Sequence, residues 1–346
     1  MTKGSREAAE RWPTIALVGS GAIAQTFYLP TLRRYVPILQ RLILVDSDSE
    51  RAKKVAEQFQ IANYFTDYRD VVHSVDGVII AVPHHLHYSI SKEFLAAGVH
   101  VLCEKPLAET GTEARDMIRL AEENEVTISV NNTRRLFPSY LKVKQMLSCG
   151  EIGNPVSITY LDGGEFSWPT ASGFYFDSKL SRKGVLLDIG AHAVDLICWW
   201  LGGKPRLVSS ENDSFGGCEA VASLILDYRG CRSEIRLSRL SRLPNRFRIR
   251  GDQGTIEGGV YDWKSVIVTK NGVGRKVFKV HSPENELLDF GRTLVANFLN
   301  VLRKEGKPLI PAGEVLASIE LLEEAYSKAR RFPMPWYEGS TLFQRR

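Results

Sequence analysis

The sequence predicts an α/β protein in two parts: a doubly wound parallel sheet over residues 1–131, then an α+β domain with a large open, mainly antiparallel sheet over residues 132–346. Three observations predict it. At roughly 150 residues per domain, 346 residues leave room for two packed cores. The first third alternates β-branched runs with amphipathic stretches, which implies βαβ units with right-handed crossovers and helices on both faces of the sheet. After about residue 131 the pattern changes to one helical segment, many alternating strands with glycine turns, and two closing helices.

The elements follow in order. Ile15–Val18, Leu42–Val45, Val78–Val82, Val99–Cys103 and Val126–Val130 are short apolar runs of the kind buried on both faces. Between them Ala22–Tyr35, Glu50–Phe59, Tyr88–Ala97 and Thr112–Glu123 carry helical periodicity. In the second part Pro155–Leu161, Ala220–Tyr228, Arg232–Arg239, Arg246–Arg250 and Lys264–Thr269 suit antiparallel strands. Gly216-Gly217, Gly230, Gly258-Gly259 and Asn271-Gly272 read as the turns between them. Glu286–Arg303 and Gly313–Arg330 form the last two helices.

Composition narrows the function. Hydrophobic residues at 44% and charged residues at 25% exclude collagen-like, disordered and disulfide-scaffold classes. The net charge of +5 spread over a chain this long gives only a weak lean toward anionic partners. Cys103, Cys149, Cys198, Cys218 and Cys231 form no CxxC pair, so neither a disulfide framework nor a zinc cluster is expected. Residues 1–12 are polar and no run approaches a membrane span, which together with the isolated cysteines predicts a cytoplasmic protein without a membrane partner.

Gly19-Ser20-Gly21-Ala22-Ile23-Ala24 follows the first strand and opens the first helix, the G-x-G-x-x-G/A pattern in its meaningful context. The first glycine permits a tight turn, the second lets backbone approach a pyrophosphate, and the third small residue lets helix and strand pack closely. Asp46 closes the second strand, where a carboxylate accepts bonds from the adenosine ribose and repels a 2′-phosphate. NAD is therefore the expected cofactor. NADP is the alternative, since Arg51 can offset the charge and Ser47 is small.

The candidate chemistry lies at Glu104-Lys105-Pro106, just outside the fourth strand's carboxyl end, where ligands bind in open α/β sheets. The proline forces Lys105 out of helical geometry and turns its ammonium toward the cleft, suited to moving the proton that accompanies hydride transfer at a carbinol carbon. A second constellation spans residues 184–195. Helical spacing puts Asp188, His192, Asp195 and Trp199 on one stripe and Ile189, Ala193, Leu196 and Trp200 on another, so an imidazole shares its face with two carboxylates. A capping role for Asp188 and a surface pair of His192 with Asp195 are the structural alternatives. No third ligand accompanies Asp188 and His192, and the histidine-rich turn His84-His85-Leu86-His87 suits cofactor or solvent better than metal, so no metal is expected.

Taken in order, Gly19–Ala24, Ala81-Val82-Pro83-His84-His85-Leu86-His87, Glu104-Lys105-Pro106, Arg134-Arg135-Leu136-Phe137-Pro138, Gly150-Glu151-Ile152-Gly153 and Asp188-Ile189-Gly190-Ala191-His192 resemble the Gfo/Idh/MocA oxidoreductases. The resemblance covers nearly the whole chain. It implies a Rossmann domain followed by an α/β domain with a large open sheet, and a sugar or cyclitol substrate between them, a nucleotide sugar being a further form of the expected substrate. It implies Lys105 as catalytic proton carrier with Asp188 and His192 near the reacting hydroxyl, Pro83, His84 and Glu104 beside the cofactor, and Arg135 beside the substrate. His84 stands where the family usually has asparagine. Trp168, in a turn-rich stretch, is a further substrate-stacking candidate.

Arg232, Arg236, Arg239, Arg242, Arg246, Arg248 and Arg250 alternate with Ile235, Leu237, Phe247 and Ile249, giving strands one apolar and one basic face. No nucleic-acid motif accompanies them, and the resemblance implies association through the open sheet, so a homodimer or homotetramer is expected. Two other uses of the same parts stay open: glycoside cleavage by transient oxidation, and a non-catalytic dinucleotide-sensing regulator.

Overall fold

The computed structural model describes residues 12–333 except 168, 170–180, 182, 215–217 and 287. The first sheet consists of β1 (Ile15–Val18), β2 (Leu42–Val45), β3 (Asn63–Phe65), β4 (Gly77–Ile80), β5 (His100–Glu104) and β6 (Ile128–Asn131). All neighbours pair in parallel, in the order β3-β2-β1-β4-β5-β6. The order reverses between β1 and β4, which opens the crevice where doubly wound sheets take their ligand. Every residue of β1 and β4 is buried, as their unbroken apolar runs require.

The first helical stretch departs from the expected continuous helix. A π-helical turn over Ala24–Tyr28 leads into α1 (Leu29–Leu32), and after a break α2 spans Val36–Leu39. Leu29 N–H reaches back to Ala24 O, five residues away, and Pro30 has no N–H with which to extend the ordinary ladder. Downstream, α3 (Ser49–Phe59) is capped by Asp48, whose side chain accepts from Arg51 N at 3.0 Å. The next helices are α4 (His87–Ala96) and α5 (Gly111–Glu123), the latter closed by a Thr110–Glu113 capping box.

The second part contains α6 (Pro138–Ser148), β7 (Pro155–Gly163), α7 (Val185–Asp188), α8 (Gly190–Leu201), β8 (Arg206–Asn212), β9 (Val221–Tyr228), β10 (Cys231–Ser238), β11 (Arg246–Gly251), β12 (Gly254–Gly259), β13 (Ser265–Lys270) and β14 (Gly274–Lys279). It closes with α9 (Asp289–Leu302), α10 (Ala312–Ser327) and β15 (Arg330–Arg331). The strands form a mixed sheet, mostly antiparallel, in the order β14-β13-β12-β11-β7-β10-β9-β8-β15, with β7 parallel to β10. Ile235, Leu237, Phe247 and Ile249 face a core shared with α6 and α8, while Arg232, Arg236, Arg246, Arg248 and Arg250 are exposed on the other face.

Gly258-Gly259, expected as a turn, belongs to strand β12. Gly258 pairs with Phe247, and a β-carbon there would lie 2.4 Å from the Phe247 ring, so the glycine makes room for an aromatic side chain inside the sheet. Gly216-Gly217 lies outside the described residues. The last two helices return to the first sheet: Leu294, Val295 and Phe298 pack with Ile15, Leu17 and Tyr28, and Val315 and Ile319 pack with Val101 and Val130. No helix among the described residues is long and apolar enough to cross a membrane.

Candidate active site

The glycine loop sits at the reversal between β1 and β4. Gly19 has φ +95°, and a β-carbon on it would stand 2.3 Å from Ala81 O, so this position needs glycine on both counts. Its N–H is held by Val45 O at 2.8 Å. A β-carbon on Gly21 would meet nothing within 4 Å, so the loop leaves open space over the start of the helix, and Ala24 is buried where helix and strand meet. Asp46 accepts from Ser20 N at 2.8 Å and Ser20 Oγ at 2.7 Å. Burial pushes the Asp46 carboxyl up, but the bonds from Arg51 and Ser20 outweigh it and hold the group below its usual range. An open cradle beside an ionised acid fits a dinucleotide. Pro83 and His84 follow β4 on the other side of the crevice, with His84 in a 3₁₀ turn and edge-on to His87.

Across the crevice the chemistry-bearing residues meet. Lys105 follows β5 and its bond to Pro106 is cis. Its ammonium donates to Asp188 Oδ1 at 3.0 Å and to Asp188 O at 2.9 Å, both side chains being 14% exposed. Asp188 ends α7, at a point set by another carboxylate: Glu219 accepts from Gly184 N at 2.9 Å and Leu186 N at 3.0 Å, and so caps the start of that turn. Arg239 binds the second oxygen of Asp188. Burial raises the Asp188 pKa, yet Lys105 and Arg239 together pull it far below the usual carboxylate range. His192, one turn further along, is held neutral by burial first and then by the positive charges of Arg134 and Lys105.

Arg239 is a cleft residue that the sequence placed in the basic stripe. It lies just past the end of β10, where the alternation of exposed arginines and buried aliphatics stops, and it turns toward Asp188. Arg134 was not among the expected site residues either. Its guanidinium donates to Tyr160 OH at 2.7 Å and Asp162 Oδ2 at 2.8 Å and lies over the Tyr261 ring.

Several expected residues stand elsewhere. Arg135 is spent in the core: it forms a bidentate pair with Asp195 at 2.7 and 2.8 Å and a further bond to Glu314. The stripe Asp188-His192-Asp195-Trp199 is thereby divided, its first half in the cleft and its second half around Arg135, which also lies over the Trp199 ring. Glu104 sits in a buried network, with Tyr28 OH donating at 2.8 Å and Asn131 Nδ2 at 2.5 Å to Oε1, while Lys105 N donates to Oε2 at 3.2 Å. Burial pushes its pKa up. It supports the Lys105 backbone from below. Trp168 lies outside the described residues. Among the described residues no three His, Cys, Asp or Glu side chains gather as metal ligands.

Residues 14–132 match the model of an oxidoreductase family with an NAD-binding Rossmann fold, and residues 140–257 match the GFO/IDH/MocA C-terminal domain. A trans-1,2-dihydrobenzene-1,2-diol dehydrogenase of Xenopus laevis is 27% identical over 80% of this chain and 83% of its own length. A 1,5-anhydro-D-fructose reductase of Ensifer adhaerens is 24% identical over 86% of this chain and 90% of its own. The fold is that of a 3-ketoreductase from Actinomadura kijaniata solved with NADP and TDP-benzene, with a TM-score of 0.78 at 21% identity over 93% of this chain and 99% of the other.

Proposed function

The chain belongs to the Gfo/Idh/MocA oxidoreductases, a family of NAD(P)-binding dehydrogenases and reductases of the sugar type, and from that premise we propose that it moves a hydride between nicotinamide and a secondary alcohol or ketone of a sugar or cyclitol, with Lys105 carrying the accompanying proton. The observation that carries this reading is the hydrogen bonding of the Lys105 ammonium. An ammonium has three donors. Asp188 takes two of them, and among the described residues no other acceptor takes the third, which we assign to a substrate oxygen.

Gly19–Ala24 would hold the pyrophosphate, Asp46 the adenosine ribose, and Pro83 and His84 the nicotinamide side of the crevice. The nicotinamide supplies or accepts the hydride when bound. The protein's part is the proton. In the reducing direction the Lys105 ammonium neutralises the oxygen as charge develops on it and then passes its proton to that oxygen. Asp188 is held ionised by Lys105 and Arg239, so it orients the lysine and donates no proton itself. His192 is neutral, which leaves its imidazole free to give or take one hydrogen bond at the same hydroxyl.

The two relatives act on a cyclic diol and on an anhydro-sugar by their names, which supports a ring bearing adjacent oxygens as the substrate. The five cysteines are free thiols, in keeping with a reducing cytoplasm. The exposed arginine face supports a homodimer or homotetramer, which sizing chromatography at micromolar concentration tests.

The activity is tested by following nicotinamide absorbance over a panel of sugars, cyclitols and nucleotide sugars with NAD and NADP. Net NADH formation on at least one member is expected. Substrate conversion with no net NADH would mark glycoside cleavage instead, and an enzyme that binds NAD but turns over no member of the panel would return the regulator reading.

A further inference from the structure

Two cations of the cleft make ion pairs with one carboxylate between them, while Glu104, next to Lys105 in the chain, has its oxygens taken by Tyr28, Asn131 and Lys105 N. Lys105 and Arg239 share a single carboxylate, Lys105 on Oδ1 and Arg239 on Oδ2 of Asp188. Among the described residues Asp188 is the only acid in ion-pair contact with either cation. The neighbouring cations are already matched, Arg134 by Asp162 at 2.8 Å and Lys183 by Glu109 at 3.1 Å. His84 and His192 add no charge of either sign, since burial and the surrounding cations hold both imidazoles neutral.

Arg239 is also short of an acceptor. Its Nε is buried with no hydrogen-bond partner among the described residues, and the guanidinium lies over the Phe166 ring at 5.5 Å. Two partly buried cations on one carboxylate are an unbalanced arrangement, because a charge taken out of water needs an opposite charge and filled hydrogen bonds to be stable. An oxyanion arriving beside Arg239 meets both needs, by giving the arginine an opposite charge that it does not share with Lys105 and by accepting from its fork of donors.

On the reading that Lys105 serves hydride transfer in this cleft, we propose that the substrate is a sugar acid, its carboxylate docking on Arg239 while the hydroxyl or ketone to be converted meets Lys105. Lys105, Asp188, Arg239 and the substrate carboxylate then alternate in charge around the site. A carboxylate brings one negative charge to the two cations that share Asp188, where a phosphate monoester would bring about −1.5 to −2 at neutral pH.

The test uses the full-length enzyme with NAD and NADP. Turnover is measured on hexuronates and aldonates, each beside its neutral parent sugar and the matching hexose 6-phosphate. Binding of the same compounds to the NAD-loaded enzyme is measured by calorimetry. For at least one acid, kcat/KM is expected to exceed that of its neutral parent by about 30-fold, the scale of one charge-assisted hydrogen-bonded pair. Arg239→Gln is expected to erase that ratio, whatever it does to both rates through Asp188, and Arg239→Lys to restore part of it. Equal turnover of acids and neutral sugars, or a preference that survives Arg239→Gln, overturns the proposal and leaves the hydride-transfer reading intact. A preference for the phosphate over the acid overturns the carboxylate assignment. Acids that bind through Arg239 without any turnover uphold the anion site and sink the hydride-transfer reading, and acids that neither bind nor turn over overturn the proposal.

Discussion

Arg51 grips both oxygens of Asp46, Nε donating to Oδ2 at 3.0 Å and Nη2 to Oδ1 at 2.6 Å. With Ser20 N, Ser20 Oγ and Asp48 N also donating, the donors fill a carboxylate that has about four acceptor sites. The acid that would accept ribose hydroxyls and repel a 2′-phosphate is therefore neutralised by a guanidinium able to receive that phosphate. Arg51→Ala frees Asp46 and removes the phosphate's partner, so it should shift the ratio of kcat/KM for NAD over NADP upward by about tenfold or more, the value of one charged hydrogen bond. Asp46→Ser should shift it the other way. A ratio left unchanged by Asp46→Ser would remove Asp46 from the ribose site.

His192 is neutral because burial, Arg134 and Lys105 all oppose its proton and lower its pKa well below the ordinary 6.5. Its charge therefore does not change between about pH 6 and 8, the range in which an unperturbed histidine titrates. The pH profile of kcat should show no limb near pH 6.5 assignable to His192, and His192→Asn should lower the plateau without moving either limb. Loss of an acid limb in His192→Asn would show that the imidazole does titrate in the working range.

The cofactor cradle was legible in the sequence because its demands are local. Gly19 needs its positive φ, Gly21 needs open space, and Asp46 sits at a strand end that any reading of the apolar runs locates. Lys105 and Asp188 were legible singly for the same reason. Their meeting was less so, because 83 residues separate them and only the packing of the second domain brings them within 3.0 Å. The fate of Arg135 and Asp195 was hidden. Both lie in patterns that fit a cleft equally well, and what decides their place is Glu314 and Ser318, arriving on α10 from far along the chain. Arg239 was hidden by its company, since five other arginines nearby, Arg232, Arg236, Arg246, Arg248 and Arg250, share the strand alternation that it leaves.

Gly258 illustrates how a turn signal can serve a strand. A β-carbon there would stand 2.4 Å from Phe247, a ring with 0% exposure that packs against Tyr140 and Trp200 and has little room to retreat. Gly258→Ala should lower stability by about 1–3 kcal/mol, the usual range for overpacking a filled core, read as a shift of the urea midpoint. Pairing it with Phe247→Leu should recover part of the loss if the clash is the cause, and an additive double variant would point to another origin.

Asp188 contributes to stability in a pH-dependent way. Its folded pKa is depressed by Lys105 and Arg239 below the ordinary 3.8, so its contribution is fully present above that value and is lost as pH falls through it toward the folded pKa. Asp188→Asn should therefore be less stable than the native chain by a constant amount from about pH 8 to 5, with the gap narrowing below about pH 4 as the native carboxylate takes up its proton. Urea midpoints for the two proteins across that range give the comparison. A gap that widens on acidification would reverse the assigned direction of the shift.

Lys105 is the residue on which the proposed chemistry turns. Oxidising a secondary alcohol requires the hydroxyl proton to leave as hydride departs, and reducing a ketone requires one to arrive. A positioned acid or base at that step contributes about 10²- to 10⁴-fold. Lys105→Met keeps the bulk of the stem and deletes the ammonium, so kcat should fall by that factor. The dissociation constant for NAD should stay nearly unchanged, because Gly19–Ala24 and Asp46 lie on other strand ends. Asp188→Asn should fall less, since it removes the group that aims the ammonium and leaves the ammonium itself. Lys105→Arg keeps the charge but cannot surrender a proton near neutral pH, so it separates the two roles of the lysine. Recovery of turnover in Lys105→Arg would assign Lys105 to electrostatic support of the oxygen. If it stays as slow as Lys105→Met, Lys105 is assigned to moving the proton, and a Lys105→Met enzyme that retains most of its turnover with binding intact would pass that task to His192.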